Sequence, residues 1–391
     1  MRKICVVTGT RAEYGLLSRL IRRIDESDQT QLQLVVTNMH LSPVYGETVH
    51  EIERDGFRID RRIPILEDGR TDALATAHSM ALALDGFTRA FQELRPDLVV
   101  LLGDRYEVLA AAEAALLTLV PVAHIHGGEV TEGAYDDSIR HAVTKMSHLH
   151  FTSTEAYRKR VIQLGENPDR VFHVGALGVE NIKMIQLMTK EELEHSLGFS
   201  LGGDTVLVTY HPVTLDRVSG ERQITDFLNV LDAHPDLRVV FTMPNSDTGS
   251  DSLRIAIERF VTTHSDRSVS FKSLGIRRYL SLMKYAAAVV GNSSSGILEA
   301  PSLGVPTLDI GSRQKGRISA DSVLHCEVSY DAINSGLKTV LSTSFRDKAR
   351  HVVNPYEKEG TMERIFEIIS TYPLDNILQK HFYDLCTKSI S

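Results

Sequence analysis

Short runs rich in Val, Ile and Leu alternate with longer amphipathic stretches along almost the whole chain. That alternation admits few folds. Successive strands separated by helices pair in parallel, and parallel sheets are covered by helices on both faces. Strands buried on both faces read as near-continuous apolar runs. In the first half these runs are ICVVTGT, LQLVVTN, DLVVLLGD, PVAHIH, HLHFTST and RVFHVGA. In the second half they are TVLVTYHP, LRVVFTMP, SVSFKSL, AAVVGNS and PTLDIGS. Stretches such as LLSRLIRRIDE, RYEVLAAAEAALLTL, TEAYRKRVIQL and IRRYLSLMKYAA supply the helices between them.

The two strand series are separated by NIKMIQLMTKEELEHSLGFSLGGD. The chain therefore reads as α/β, with two Rossmann-like domains around a central cleft. Residues 1–185 form the first and 186–372 the second, and a C-terminal helix over 373–391 packs back on the first. A length of 391 residues suits that division. Bulk properties narrow the function classes. With 42% hydrophobic and 24% charged residues and no long apolar run, the chain reads as a globular protein that does not span a membrane. A net charge of −8 argues against a nucleic-acid partner, which would call for a basic face. The N-terminal MRKICVVTGTR reads as a first strand and not as a signal peptide. Cys5, Cys326 and Cys386 show neither metal nor disulfide spacing, and a reducing cytoplasm is expected.

In open parallel sheets, ligands bind outside the carboxyl ends of the strands. Here those ends carry chemistry. Arg11 follows VVTGT, Asp104 and Arg105 follow VVLLG, and His126 and Glu129 bracket a Gly pair after PVAHI. In the second half His211 follows VLVTY, Asn245 follows VVFTMP, and Ser293, Ser294, Ser295 and Gly296 follow AVVGN. Arg313 and Arg317 follow TLDIG. Acids thus collect on the first half and phosphate-type groups on the second.

The serine loop is either a capped turn or an anion seat, in which small residues expose backbone N–H groups at a helix start. Arg313 and Arg317 in the same half favour the anion seat. Glu299 is either an acid favoured by the helix dipole or an acceptor for ribose hydroxyls. Neither the dinucleotide nor the P-loop spacing is present, so no nicotinamide cofactor is expected. Asp104 is either a helix N-cap or a general acid or base delivered by a strand end. Asp136 is either a cap or a second such group. His124 and His126 alternate on one strand and would point to one face, as a metal pair can, but further ligands at standard spacing are missing. The expectation is no metal and no cofactor.

Seven segments in order (GTRAEYG, LLGDRYE, HIHGGE, DDSIRHAVTKMSHLHF, VGALGVENI, GNSSSGILE and GSRQKGR) resemble the UDP-N-acetylglucosamine 2-epimerase family, and most closely its hydrolysing branch. The resemblance covers nearly the whole chain. It implies the glycosyltransferase-B fold and a two-stage reaction: elimination of UDP to a 2-acetamidoglucal, then hydration to N-acetylmannosamine for sialic acid synthesis. It matches Asp104 to a catalytic acid, Arg105 to its neighbour facing the nucleotide sugar, and Asp136 to an acid of the hydration step. Arg11, His211, Ser294, Glu299 and Arg313 match UDP contacts. Several relatives carry a catalytic Glu where this chain has His126, so either His126 or Glu129 takes that proton transfer. Gly15 stands where some relatives have Ser. Similar motifs serve hydrolysing 2-epimerases of UDP-2,4-diacetamido-2,4,6-trideoxyhexose, non-hydrolysing 2-epimerases, and glycosyltransferases on the same fold. The resemblance also implies a homodimer or homotetramer.

Overall fold

The computed structural model describes every residue except 68, 69, 71, 203, 214, 216–219, 245–248 and 386–391. Among the described residues the strands form two all-parallel sheets. The first contains β1 (Arg2–Thr8), β2 (Thr30–Thr37), β3 (Arg61–Ile63), β4 (Leu98–Leu102), β5 (Val122–Ile125), β6 (Leu149–Thr152) and β7 (Val171–His173). The second contains β8 (Thr205–Thr209), β9 (Arg238–Thr242), β10 (Ser268–Phe271), β11 (Ala288–Gly291), β12 (Thr307–Ile310) and β13 (Val323–Cys326). The order is 3-2-1-4-5-6-7 in one and 10-9-8-11-12-13 in the other. Both follow the Rossmann order, in which the chain reverses direction across the sheet between the first and fourth strands. Those reversals lie at β1/β4 and at β8/β11. They are the places where Arg11, Asp104, His211 and the serine loop emerge.

The central strands behave as their composition requires. Leu98 to Leu101 and Val206 to Val208 are fully buried, with helices on both sides. Two strands, β3 and β13, escape a reading based on apolar runs. Both are sheet edges, short and largely solvent-facing, where charged residues such as Arg61 and Arg62 suit an unpaired edge.

The expected C-terminal helix is corrected in position. The returning helix is Thr361–Thr371, and no helix spans the described residues 373–385. Pro373 explains the stop, because the residue before a proline is pushed out of the helical region, and Tyr372 sits at φ −56°, ψ 131°. Ile365, Phe366 and Ile369 of that helix join the core beneath β1 and β4, so the far end of the chain completes the first sheet. No helix among the described residues is long and apolar enough to cross a membrane.

Candidate active site

After β1, Thr10 caps the helix Arg11–Asp25 in a capping box with Glu13. The Glu13 carboxylate accepts from the backbone N–H of Gly9 at 2.8 Å and of Thr10 at 3.1 Å. Burial and the nearby Glu107 raise the Glu13 pKa to about 7. The first residue of the helix, Arg11, is brought to the cleft with Nη1 buried and unpartnered.

β4 ends at Leu102, and Gly103 after it takes φ +85°, a conformation glycine adopts without strain. The turn presents Asp104 and Arg105. Asp104 pairs with Arg140, which rises from the helix Asp136–Met146 and is 1% exposed. Arg140 also donates to Thr131 at 2.7 Å and lies 3.4 Å from Asp137. Arg105 donates to Glu107 at 2.7 Å.

β5 ends at Ile125, and the backbone turns left-handed at His126, with φ +68°. This corrects the expectation that His124 and His126 share one face. The turn breaks the alternation, and both ring nitrogens of His124 are taken, by Gly103 O at 2.8 Å and Thr144 Oγ1 at 3.1 Å. His126 Nδ1 faces Glu129 Oε1 at 3.6 Å, while its buried Nε2 has no partner. Burial lowers the His126 pKa, Glu129 opposes the shift and Arg317 adds to it, so the ring is neutral. Glu129 is occupied on both oxygens. Ser153 donates to Oε1 at 2.7 Å, and Arg317 lies 2.9 Å from Oε2. That ion pair joins the two halves, and Arg317 also donates to the Val130 carbonyl at 2.9 Å.

On the other wall, Asn292 clamps the His211 backbone from both sides, at 2.7 and 2.8 Å. Gly291 takes φ +136° against the Thr209 carbonyl, where any Cβ would collide. This turn swings the three serines outward. Ser293 and Ser295 are 3.1 Å apart through their hydroxyls, and Tyr279 bonds Ser295. Gln314 holds the Asn292 carbonyl at 2.9 Å and so fixes the adjacent Arg313, whose Nε is buried and unpartnered. Burial pushes the Glu299 carboxyl up to about 8, and its Oε2 has no partner.

Arg11, Asp104, Arg105, His126, Glu129 and Asp136 from one wall, with His211, Ser293, Ser294, Ser295, Glu299, Arg313 and Arg317 from the other, line a single cleft of about 250 Å³. Gly296 lies beneath the loop instead. Its Cβ would meet Thr307 Cγ2 at 2.7 Å, so glycine serves packing there. Asn245 lies outside the described residues. Arg140, Tyr279 and Glu13 also line the cleft and were missed by motif reading. Arg140 was within reach of it: four residues after Asp136 it shares that helix face, and a half-buried acid such as Asp104 calls for a counter-charge. Nothing local in the sequence points to Tyr279.

The model of the UDP-N-acetylglucosamine 2-epimerase family matches residues 22–370. The chain belongs to this family. Among epimerase-family relatives, it is 40% identical over 385 residues to GDP/UDP-N,N'-diacetylbacillosamine 2-epimerase (hydrolyzing) of Campylobacter jejuni, covering 98% of this chain and 99% of that one. It is 41% identical over 393 residues to polysialic acid biosynthesis protein P7 of Escherichia coli, with both chains covered in full. The S. aureus MnaA–UDP co-structure superposes with a TM-score of 0.78 at 19% identity, covering 98% of this chain and 100% of that one. At that identity it establishes the shared fold of two Rossmann-like domains.

Proposed function

We propose that the chain is a hydrolysing UDP-N-acetylglucosamine 2-epimerase that releases UDP and N-acetylmannosamine, the product that the family resemblance ties to sialic acid synthesis. One observation carries this reading: an acid–base cluster faces, across one cleft, a serine loop and Arg313 with its buried, unpartnered Nε, while Arg11 brings a buried, unpartnered Nη1 from the near wall. The second wall suits a diphosphate. Arg313, the serine hydroxyls and His211 take its oxygens, Arg11 approaches from the opposite wall, and Glu299 takes ribose hydroxyls.

The first wall then faces the sugar. With Nδ1–H directed at Glu129, neutral His126 keeps a lone pair on Nε2 and accepts the C2 proton. The C1–O bond breaks with its electrons leaving on UDP, and a C1–C2 double bond forms. Positive character at C1 is stabilised by Asp104, while Arg11 and Arg313 stabilise the departing charge. Water then gives its oxygen to C1, and a proton passes through Asp104 or Asp136 to the opposite face of C2. The proton on His126 returns to solvent. In this scheme Glu129 orients His126 and anchors Arg317.

Proton NMR of the EDTA-treated enzyme with UDP-N-acetylglucosamine in deuterated water tests the reading. Free UDP and N-acetylmannosamine deuterated at C2 are expected, and UDP-N-acetylmannosamine as product would overturn it. The name of the Campylobacter relative supports a second reading, a hydrolysing 2-epimerase of UDP-2,4-diacetamido-2,4,6-trideoxyhexose. Turnover of that sugar nucleotide alone would select it.

A further inference from the structure

His124 takes no part in the scheme above, yet it is fully buried and touches all three segments that supply acid–base groups. Its Nε2 is 2.8 Å from the carbonyl of Gly103, the residue before Asp104. Its Nδ1 is 3.1 Å from the hydroxyl of Thr144, one helical turn beyond Arg140 on the helix that also carries Asp136. A Cβ on Gly127, the residue after His126, would lie 3.1 Å from Nδ1 and 3.0 Å from Thr144 Oγ1. The backbone beside His126 therefore rests directly on the His124–Thr144 pair.

The partners fix the tautomer. A carbonyl oxygen can only accept, so Nε2 carries the proton and Nδ1 accepts from the Thr144 hydroxyl. Burial holds the imidazole neutral, with a pKa near 3, against the opposing pull of the Gly103 carbonyl. A neutral ring with one donor and one acceptor satisfies both contacts, which neither an aliphatic side chain nor a charged one would do. The Gly103 carbonyl matters because that glycine already occupies the left-handed region, so its peptide sets where Asp104 points.

We infer that His124 is a positioning residue, a neutral strut that fixes Asp104 relative to Arg140, Asp136 and His126 without touching the sugar nucleotide. The inference rests on the reading of this cleft as the epimerase site. Its consequence is a separation of catalysis from binding, because the strut touches the acid–base wall and none of the groups assigned to UDP.

The test uses two substitutions that each keep one half of the imidazole. His124→Gln places an amide N–H near the position of Nε2 and keeps a donor for Gly103. His124→Asn keeps a polar group near Nδ1 and loses the Gly103 bond. Displacing a reacting group by about 1 Å costs on the order of 100-fold in rate. His124→Asn is therefore expected to lower kcat by roughly 10- to 100-fold, while KM and the Kd for UDP change by less than about threefold. His124→Gln is expected to recover most of that loss. Thr144→Val, which removes the other contact, gives the same split should His124→Asn fail to fold. Unchanged kcat in His124→Asn or Thr144→Val would overturn the proposal. So would a parallel loss of kcat and UDP affinity, the pattern of a general packing defect. A wild-type enzyme that turns over neither sugar nucleotide would instead sink the underlying functional reading.

Discussion

The ion pair between Glu129 and Arg317 is the connection across the cleft whose strength follows most directly from geometry. The two side chains are 2% and 6% exposed, with Nη2 and Oε2 2.9 Å apart. Glu129→Gln keeps an oxygen for Ser153 but turns an amide donor toward the guanidinium. It leaves Arg317 uncompensated among Arg140 and Arg313, which already repel one another. Breaking a buried pair by removing one partner costs about 3–5 kcal/mol, since the survivor stays desolvated. Arg317→Met should cost about 4–6 kcal/mol, because it strands Glu129 in the same way and the Val130 carbonyl also loses its donor, an unsatisfied buried acceptor that adds ~1 kcal/mol. The double variant has no stranded charge. It should cost only about 1–2 kcal/mol, chiefly for the Val130 carbonyl left without its donor, well short of the ~7 kcal/mol or more that the two single costs would add to. Urea unfolding followed by circular dichroism and tyrosine fluorescence reads this directly, since the chain has 12 tyrosines and no tryptophan. Additive single costs, or a Glu129→Gln variant within about 0.5 kcal/mol of wild type, would refute the reasoning.

Three further outcomes are expected. Arg313→Met should weaken UDP binding by roughly 10- to 100-fold, the worth of a charge-assisted hydrogen bond, with little change in unfolding midpoint; calorimetry of UDP binding decides it. Gly133→Ala should weaken UDP-sugar binding by about tenfold or more, because the new Cβ would lie 2.8 Å from the Arg313 Cα and wedge the two walls apart; wild-type affinity in this variant would count against a cleft this closely closed. Glu299 is held neutral by burial, with a pKa near 8 against 4.5 unfolded, so its contribution to stability is complete below about pH 4.5 and is lost as pH rises through about 8. Stability of wild type relative to Glu299→Gln should accordingly fall between about pH 5 and 8, and a flat difference would show that the group is not neutral in the fold.

Much of the site was legible because strand ends can be read locally. An apolar run followed by a polar residue marks a carboxyl end, and in a parallel sheet all such ends share one side. Asp104, His126, Arg11, His211 and the serines were found that way. Arg140 and Tyr279 were not, because each matters through a partner far off in sequence: Arg140 meets Asp104 across 36 residues and Tyr279 meets Ser295 from a neighbouring helix. The proposed division of labour between His126 and Glu129 could not be drawn from residue types alone. It rests on the occupation of both Glu129 oxygens, by Ser153 and by Arg317 from the opposite wall.

The alternation of apolar runs and helices determined two parallel sheets, and glycines at Gly103 and Gly291 marked where a turn had to enter the left-handed region. These are properties of short segments, governed by burial pattern and backbone sterics. Only the tertiary structure decided that the helix Thr361–Thr371 returns to the first sheet, that His126 leaves its strand at φ +68°, and that His124 faces inward onto Gly103 and Thr144. Those outcomes depend on which distant groups compete for one buried carbonyl, hydroxyl or charge. That competition is settled only when the sheets, helices and loops meet, because a buried polar group must find its partner wherever the fold supplies one.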